Sequence, residues 1–312
     1  MMMMMIVIII IIIIIIIMFT EVRVLILLTA VKSDALTLTH VIPSQGRGDV
    51  TAVTSLGNEV FVLREDSQQQ VEVYDASTFT LQRYITVSGL DDCSYTLGSR
   101  SRGLAACAHY KCLYVSDYID NIHRAELSGS NAVKKWSVGR SPGSLSVNKE
   151  HNVVVACWWA HKIQEYTTHG ALVREISLQQ AGVMYPWHAV QLSTGDYVVS
   201  GWKSTGGAVS VVGIDGRVVR HYCPSPSSDL GEMKDPTGLA VTKNDDILVA
   251  DADNKRILLV NSSLSSARKL ALPVDDGIQW TWGLCLDESR GRIYVGEHGG
   301  NYRVLVFDGV RL

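Results

Sequence analysis

The stretch DPTGLAVTKNDDILVADADNKRILLV, residues 235–260, decides the fold, because weaker copies of it recur along nearly the whole chain. Asp235-Pro236-Thr237-Gly238 is a turn into the apolar run Leu239-Ala240-Val241, and residues 243–246 turn again into Ile247-Leu248-Val249-Ala250. Two short apolar runs joined by a polar turn read as a β-hairpin. Asp251-Ala252-Asp253-Asn254 makes a third turn, rich in side chains that hydrogen-bond their own backbone. It leads into a third strand over 256–260, and a weak fourth is expected over 267–272.

The same order recurs at 103–127, 141–166, 185–212 and 282–307, with an earlier copy at 50–74, which brings the total to six. Gly103, Gly143, His188, Gly238 and Gly283 mark the copies, spaced by roughly 40–50 residues, the range of repeat architectures. A four-stranded unit of this length cannot bury both faces alone, so copies must stack, and radial stacking makes a propeller. The expected fold is all-β, a six-bladed β-propeller of four-stranded antiparallel blades spanning 36–312. The last copy ends after its third strand. The alternating segment LTLTHVI, residues 36–42, is therefore expected to pair with 303–307, which completes the last blade and closes the ring.

Pro236, Gly238, Val249, Ala250, Asp251, Asn254, Arg256 and Ile257 resemble the NHL repeat signature of Pro-x-Gly, Val-Ala-Asp and Asn-x-Arg. Ser116, Asp117, Asn121 and Arg124 form a looser second match. The resemblance is to the NHL propellers of tripartite-motif proteins, which bind RNA or protein partners, and more distantly to the propeller of peptidyl-hydroxyglycine amidating lyase. It implies that Asp251, Asn254 and Arg256 build the blade.

Residues 1–35 differ in composition from all that follows. Residues 1–19 are almost entirely Met, Ile and Val, ending in Phe19. At about 1.5 Å per residue the run is just long enough to cross a bilayer core of roughly 30 Å. Three readings stand: a signal anchor; a cleaved secretory signal with Ser33-Asp34-Ala35 at its site; or an untranslated stretch upstream of Met18. Two of them place the propeller outside the cytosol, secreted or anchored, with membrane contact only through residues 1–31. It is cytoplasmic if that segment is an artefact with no signal function.

Cys107 and Cys112 flank a four-residue turn, where facing strand positions can carry a cross-strand disulfide or two buried thiols; Cys93, Cys157, Cys223 and Cys285 have no obvious partners. Asn261-Ser262-Ser263 is a glycosylation sequon.

In a propeller the loops leading into the first strands and the turns between second and third strands open on one face. Six of the seven tryptophans fall there. The candidate ligand-binding residues are Trp158, Trp159 and His161 from the third unit, Trp187, His188 and Trp202 from the fourth, and Trp280, Trp282 and His298 from the sixth. Tryptophans are common interface anchors, and they also serve as wedges between blades. Asp117, Asp120, Asp251 and Asp253 read as turn caps, with calcium coordination as the alternative.

The resemblance to the amidating lyase implies three zinc histidines, one per blade. Only His188 holds such a place, beside Ser144, Thr237 and Gly283 in the other units, so no metal or cofactor is expected. Lys plus Arg number 28 against 31 Asp plus Glu, a net charge of −3, which argues against RNA. The expected function is a monomeric, non-catalytic recognition scaffold for a protein or other ligand. The alternatives are a metal-dependent lyase or hydrolase with its site in the channel, and a cytosolic adaptor for RNA or protein.

Overall fold

The computed structural model describes residues 36–309, apart from 67, 91–102, 118, 128–132, 140–141 and 275–276. The segment 1–35, with its three readings, lies outside these residues, as does Cys93. Among the described residues there is no helix, so none is long and apolar enough to cross a membrane.

Six four-stranded antiparallel sheets succeed one another along the chain. Blade 1 runs from the innermost strand Val50–Leu56 to the outermost Leu81–Thr86, and blade 2 from Leu104–Cys107 to Val133–Ser137. Blade 3 runs from Pro142–Val147 to Leu172–Ser177, blade 4 from Met184–Gln191 to Val218–Tyr222, and blade 5 from Pro236–Val241 to Ala267–Lys269. Blade 6 takes Trp280–Asp287, Arg292–His298 and Val304–Asp308 from one end of the chain and Thr37–Ile42 from the other.

The second strands are runs such as Val-Val-Val-Ala-Cys that are buried on both faces. Both faces can be apolar because each blade is covered by a neighbour on either side. The core is accordingly six separate layers, each shared by two adjacent blades: Leu63, Val73, Leu113 and Val115 between blades 1 and 2, for example, and Val199, Ala156 and Ile163 between blades 3 and 4. The glycine of the repeat belongs to this stacking. A Cβ added at Gly238 would meet the Trp282 carbonyl oxygen of the next blade at 2.7 Å.

The ring closes as the alternating segment implies. Thr37 pairs with Asp308, and Val41 and Ile42 with Leu305 and Val304, across a bulge between Leu38 and His40. Ile42 is buried in the layer between blades 6 and 1, while Leu36, with Leu38 and Val41 partly buried, packs in the layer between blades 5 and 6.

One polar brace recurs where the second strand ends. In blade 5, Asp251 faces Pro236 across the sheet; its carboxylate takes the Arg256 Nε–H at 2.7 Å and the backbone N–H of Lys234 at 3.0 Å, tying the lead-in loop to the turn. Glu297 does the same in blade 6, with Arg303 Nε at 2.7 Å and the Gln279 N–H at 2.9 Å. In blade 2 the partner of Asp117 is His123, at 3.2 Å, while Arg124, the residue aligned with the motif, pairs with Glu126. Burial opposes ionisation of Asp117, but His123 and Asn121 bring it down to about 2. Blade 3 uses a neutral pair, Cys157 to Gln164. Blade 1 reverses the charges. Arg64 holds the acid's place, opposite Val50, donates to Glu72 at 2.9 Å, and reaches the lead-in loop through carbonyls, Pro43 O at 3.1 Å, instead of through N–H groups.

Candidate functional site

Alignment by strand pairing shows that two positions per blade build the channel mouth. The first follows the Pro236 position and holds Thr51, Gly143, Trp187, Thr237 and Trp282 in blades 1, 3, 4, 5 and 6. The second follows the Asp251 position and holds Glu65, Trp158, Trp202, Ala252 and His298 in the same blades. Trp187 and Trp282 are thus equivalents separated by one blade. They meet because blade 5 offers only Thr237 between them, with its hydroxyl donating to Thr281 O.

The result is a continuous series of rings from blade 3 to blade 6. Trp159 lies edge-on to Trp158 at 4.6 Å, Trp158 lies 5.7 Å from Trp187, Trp187 lies 6.0 Å from Trp282, and Trp282 stacks on His298 at 3.6 Å and 20°. Tyr185, absent from the sequence-based set, joins the series near its middle, 4.8 Å from Trp158 and 4.9 Å from His161. It sits at φ +51°, outside the ordinary range for a non-glycine residue, with its N–H donated to His161 Nδ1 at 3.0 Å. Trp159 is 48% exposed, whereas Trp158, Trp187 and Trp282 are half-buried. The indole N–H groups of Trp158 and Trp187 are buried without a well-formed hydrogen bond. Exposed Trp202 and Trp280 flank the series, opposite Met184 and His298 in their blades.

His188 takes a different place. It lies in the wall of a central cavity of about 220 Å³ lined by the innermost strands of all six blades. Innermost strands have one edge without a neighbouring strand, and His188 satisfies two such edges: its Nε2 lies 3.1 Å from Leu145 O of blade 3, and the Leu239 N–H of blade 5 donates to Nδ1 at 3.0 Å. Burial lowers its pKa to about 4, so the ring is neutral and both nitrogens are occupied.

Asp235, in the loop leading into blade 5, has its pKa raised to about 6 by desolvation and by the charges of Asp253 and Asp251. The Trp202 and Trp187 indoles facing it offset part of that rise, although the Trp187 N–H makes no well-aligned bond. The folded protein therefore holds this proton more tightly than the unfolded chain, and stability falls as pH rises from about 4 to about 6. Replacing Asp235 with Asn should remove a penalty on the order of 1–2 kcal/mol at pH 7.5 and change little at pH 4. Thermal melts at the two pH values check this; equal shifts at both would show Asp235 to be well solvated.

On the same face Asp49, Glu65 and His298 bring three ligand-type atoms within 4.8 Å of one another. Sequence reading missed both acids, since a carboxylate beside a strand end looks like a turn cap. Only alignment by strand ends puts Glu65 in the place of His298.

The other face carries the remaining candidates. Cys107 and Cys112 are direct cross-strand partners, both buried as free thiols, and burial raises the Cys112 pKa. Asn261, between the third and fourth strands of blade 5, takes the N–H of Ser265 at 2.9 Å on its side-chain oxygen.

These features define a six-bladed β-propeller with an aromatic channel mouth. The chain carries an NHL repeat: the model of that repeat family matches residues 233–258. No curated protein matches the chain in sequence. Solved structures share the fold at low identity. Virginiamycin B lyase from Staphylococcus aureus superposes with a TM-score of 0.60 at 11% identity, covering 88% of this chain and 99% of that one. An auxiliary nutrient binding protein from Bacteroides thetaiotaomicron gives 0.61 at 13%, covering 86% and 71%. The WD40 β-propeller domain of Doa1 gives 0.58 at 13%, covering 88% and 97%.

Proposed function

We propose that the protein is a non-catalytic recognition scaffold that binds a protein partner on the aromatic mouth of the channel. The observation that carries the reading is the ring series from Trp159 to His298, which takes its rings from blades 3, 4 and 6 and combines exposed edges with buried indole donors that lack a well-formed hydrogen bond. Burying aromatic area on a rigid frame is an efficient source of binding energy, because little side-chain entropy is lost. The poorly satisfied Trp158 N–H at the same place favours a ligand that brings hydrogen-bond acceptors. The scaffold suits this use, since the blades hold the rings through backbone packing and His188 spends its nitrogens on the ring itself. Net charge of −3 supports a protein over a nucleic acid.

The test is the double substitution Trp159→Ala and Trp280→Ala. Both side chains are 48% exposed. The melting temperature should move by less than about 4 °C, since surface changes fall near ±0.5 kcal/mol each, while affinity capture from the native source should lose partners that the unaltered protein retains. A large loss of stability would show the two residues to be blade wedges and end the reading.

A further inference from the structure

The junction of blades 1 and 6 holds a group of side chains used neither by the braces nor by the aromatic stacking alone. Asp49 ends the loop leading into blade 1, Glu65 follows its second strand, and His298 ends the second strand of blade 6. His298 Nε2 stands 3.4 Å from Asp49 Oδ2 and 3.4 Å from Glu65 Oε2. The histidine is only 7% exposed, and neither ring nitrogen makes a hydrogen bond.

The distances discriminate between two arrangements. A charge-assisted N–H···O bond closes to about 2.7–2.9 Å, and a single N–H can align with only one of the two oxygens. Ligand atoms bound tetrahedrally at about 2.0–2.1 Å from zinc lie about 3.3–3.4 Å apart. Both distances from the imidazole match the second, and the three donor atoms together lie within 4.8 Å of one another. The donors are also preset. Asp49 Oδ1 accepts the Gly299 N–H, which turns its other oxygen to the cluster. Trp282 stacks on His298 and fixes the ring plane. Gly48 lets the loop press on Glu65, where a Cβ would fall 2.1 Å from the Glu65 carbonyl oxygen.

We propose that Asp49, Glu65 and His298 bind a divalent transition-metal ion of the zinc class. One imidazole nitrogen and two carboxylate oxygens suit Zn²⁺, whereas Ca²⁺ and Mg²⁺ prefer six or more oxygens. Three protein ligands leave a position for water or for a donor atom of a bound molecule, next to Trp282 and so at one end of the ring series. The site uses this chain's own side chains and stands without a ligand on the aromatic face.

The probe is Zn²⁺ itself, titrated calorimetrically into the metal-stripped protein. One equivalent should bind the unaltered protein and raise its melting temperature, as a ligand of the folded state does. Asp49→Asn and Glu65→Gln keep side-chain shape and should each weaken binding at least tenfold, with the metal-free melting temperatures close to that of the parent. His298→Gln should do the same. Absence of binding to the unaltered protein, tighter binding of Mg²⁺ or Ca²⁺ than of Zn²⁺, or Zn²⁺ binding that persists undiminished in the two carboxyl variants would each overturn the site. Persistence would trace the zinc to other groups, such as the cysteines. Trp159→Ala leaves these ligands in place, so loss of partner capture and loss of zinc are separable results.

Discussion

Deleting residues 36–42 should lower the melting temperature by about 10 °C and make the protein prone to association. The segment buries Ile42 and Leu36 and half-buries Leu38 and Val41. Full burial of such a side chain is worth about 1.5–3 kcal/mol, and removing the segment also re-exposes a comparable apolar area on Val304, Leu305, Val306 and Phe307; set against about 1–2 kcal/mol of ordering entropy for each deleted residue, a net loss of about 2–4 kcal/mol is expected. For a domain of this size each kcal/mol moves the midpoint by about 2–4 °C. The deletion also uncovers the strand Val304–Asp308, whose backbone groups would then offer an open edge to other chains. Differential scanning calorimetry and light scattering across a concentration series measure the two effects. An unchanged transition would mean that the closing strand adds nothing to the ring.

Replacing Arg64 with Met should cost about 3–5 kcal/mol, the range for stripping one partner from a buried ion pair. Arg64 is 1% exposed and stands among the largest fully buried side chains of the described residues. Besides Glu72 it donates to Tyr302 O at 2.6 Å and to Pro43 O at 3.1 Å, so it holds blade 6 and the segment after the closing strand against blade 1. Glu72 would keep only the Tyr74 hydroxyl at 3.0 Å and the Arg47 guanidinium at 3.2 Å. Replacing Glu72 with Leu in the same chain should recover about half the loss, because a buried pair removed together costs less than one partner left behind. Chemical denaturation of the two single variants and the double variant decides it. A single substitution costing under about 1 kcal/mol would show the blade 1 brace to be hydrated.

The fold was legible because the second strand of each blade is a buried, mostly apolar run, and that in turn follows from neighbours stacking on either side. The outer strands were not. Val133–Ser137 is Val-Lys-Lys-Trp-Ser and Ala267–Lys269 is three residues, both mostly exposed, so neither shows an apolar run. Register was legible only to within a residue: strand pairing aligns Ser144, rather than Gly143, with Gly238. In blade 2 the connection is one residue shorter, with Ser116 facing Ile122 where Ala250 faces Ile257, and the brace comes from His123 and not from Arg124. On the binding face the tryptophans announced themselves by type, but whether each stood exposed or wedged depended on its neighbour across one blade. Trp187 and Trp282 meet over Thr237, a relation between residues far apart in sequence. Tyr185 was invisible for a different reason, since its place in the series depends on a left-handed backbone angle.

The closing strand also sets an order of events during synthesis. Its Thr39 hydroxyl donates to Val306 O, a contact spanning 267 residues. At about 5–20 residues per second, the segment 37–42 leaves the ribosome roughly 13–50 s before its partner strand exists. Blades 1 to 5 can stack in that interval, each on the one before, while the strand Thr37–Ile42 waits for Val304–Asp308. Final assembly is then a single late docking step that joins Thr37–Ile42 to Val304–Asp308. A nascent protein stalled within its last blade should remain an open arc, with blade 1 lacking its neighbour on one side.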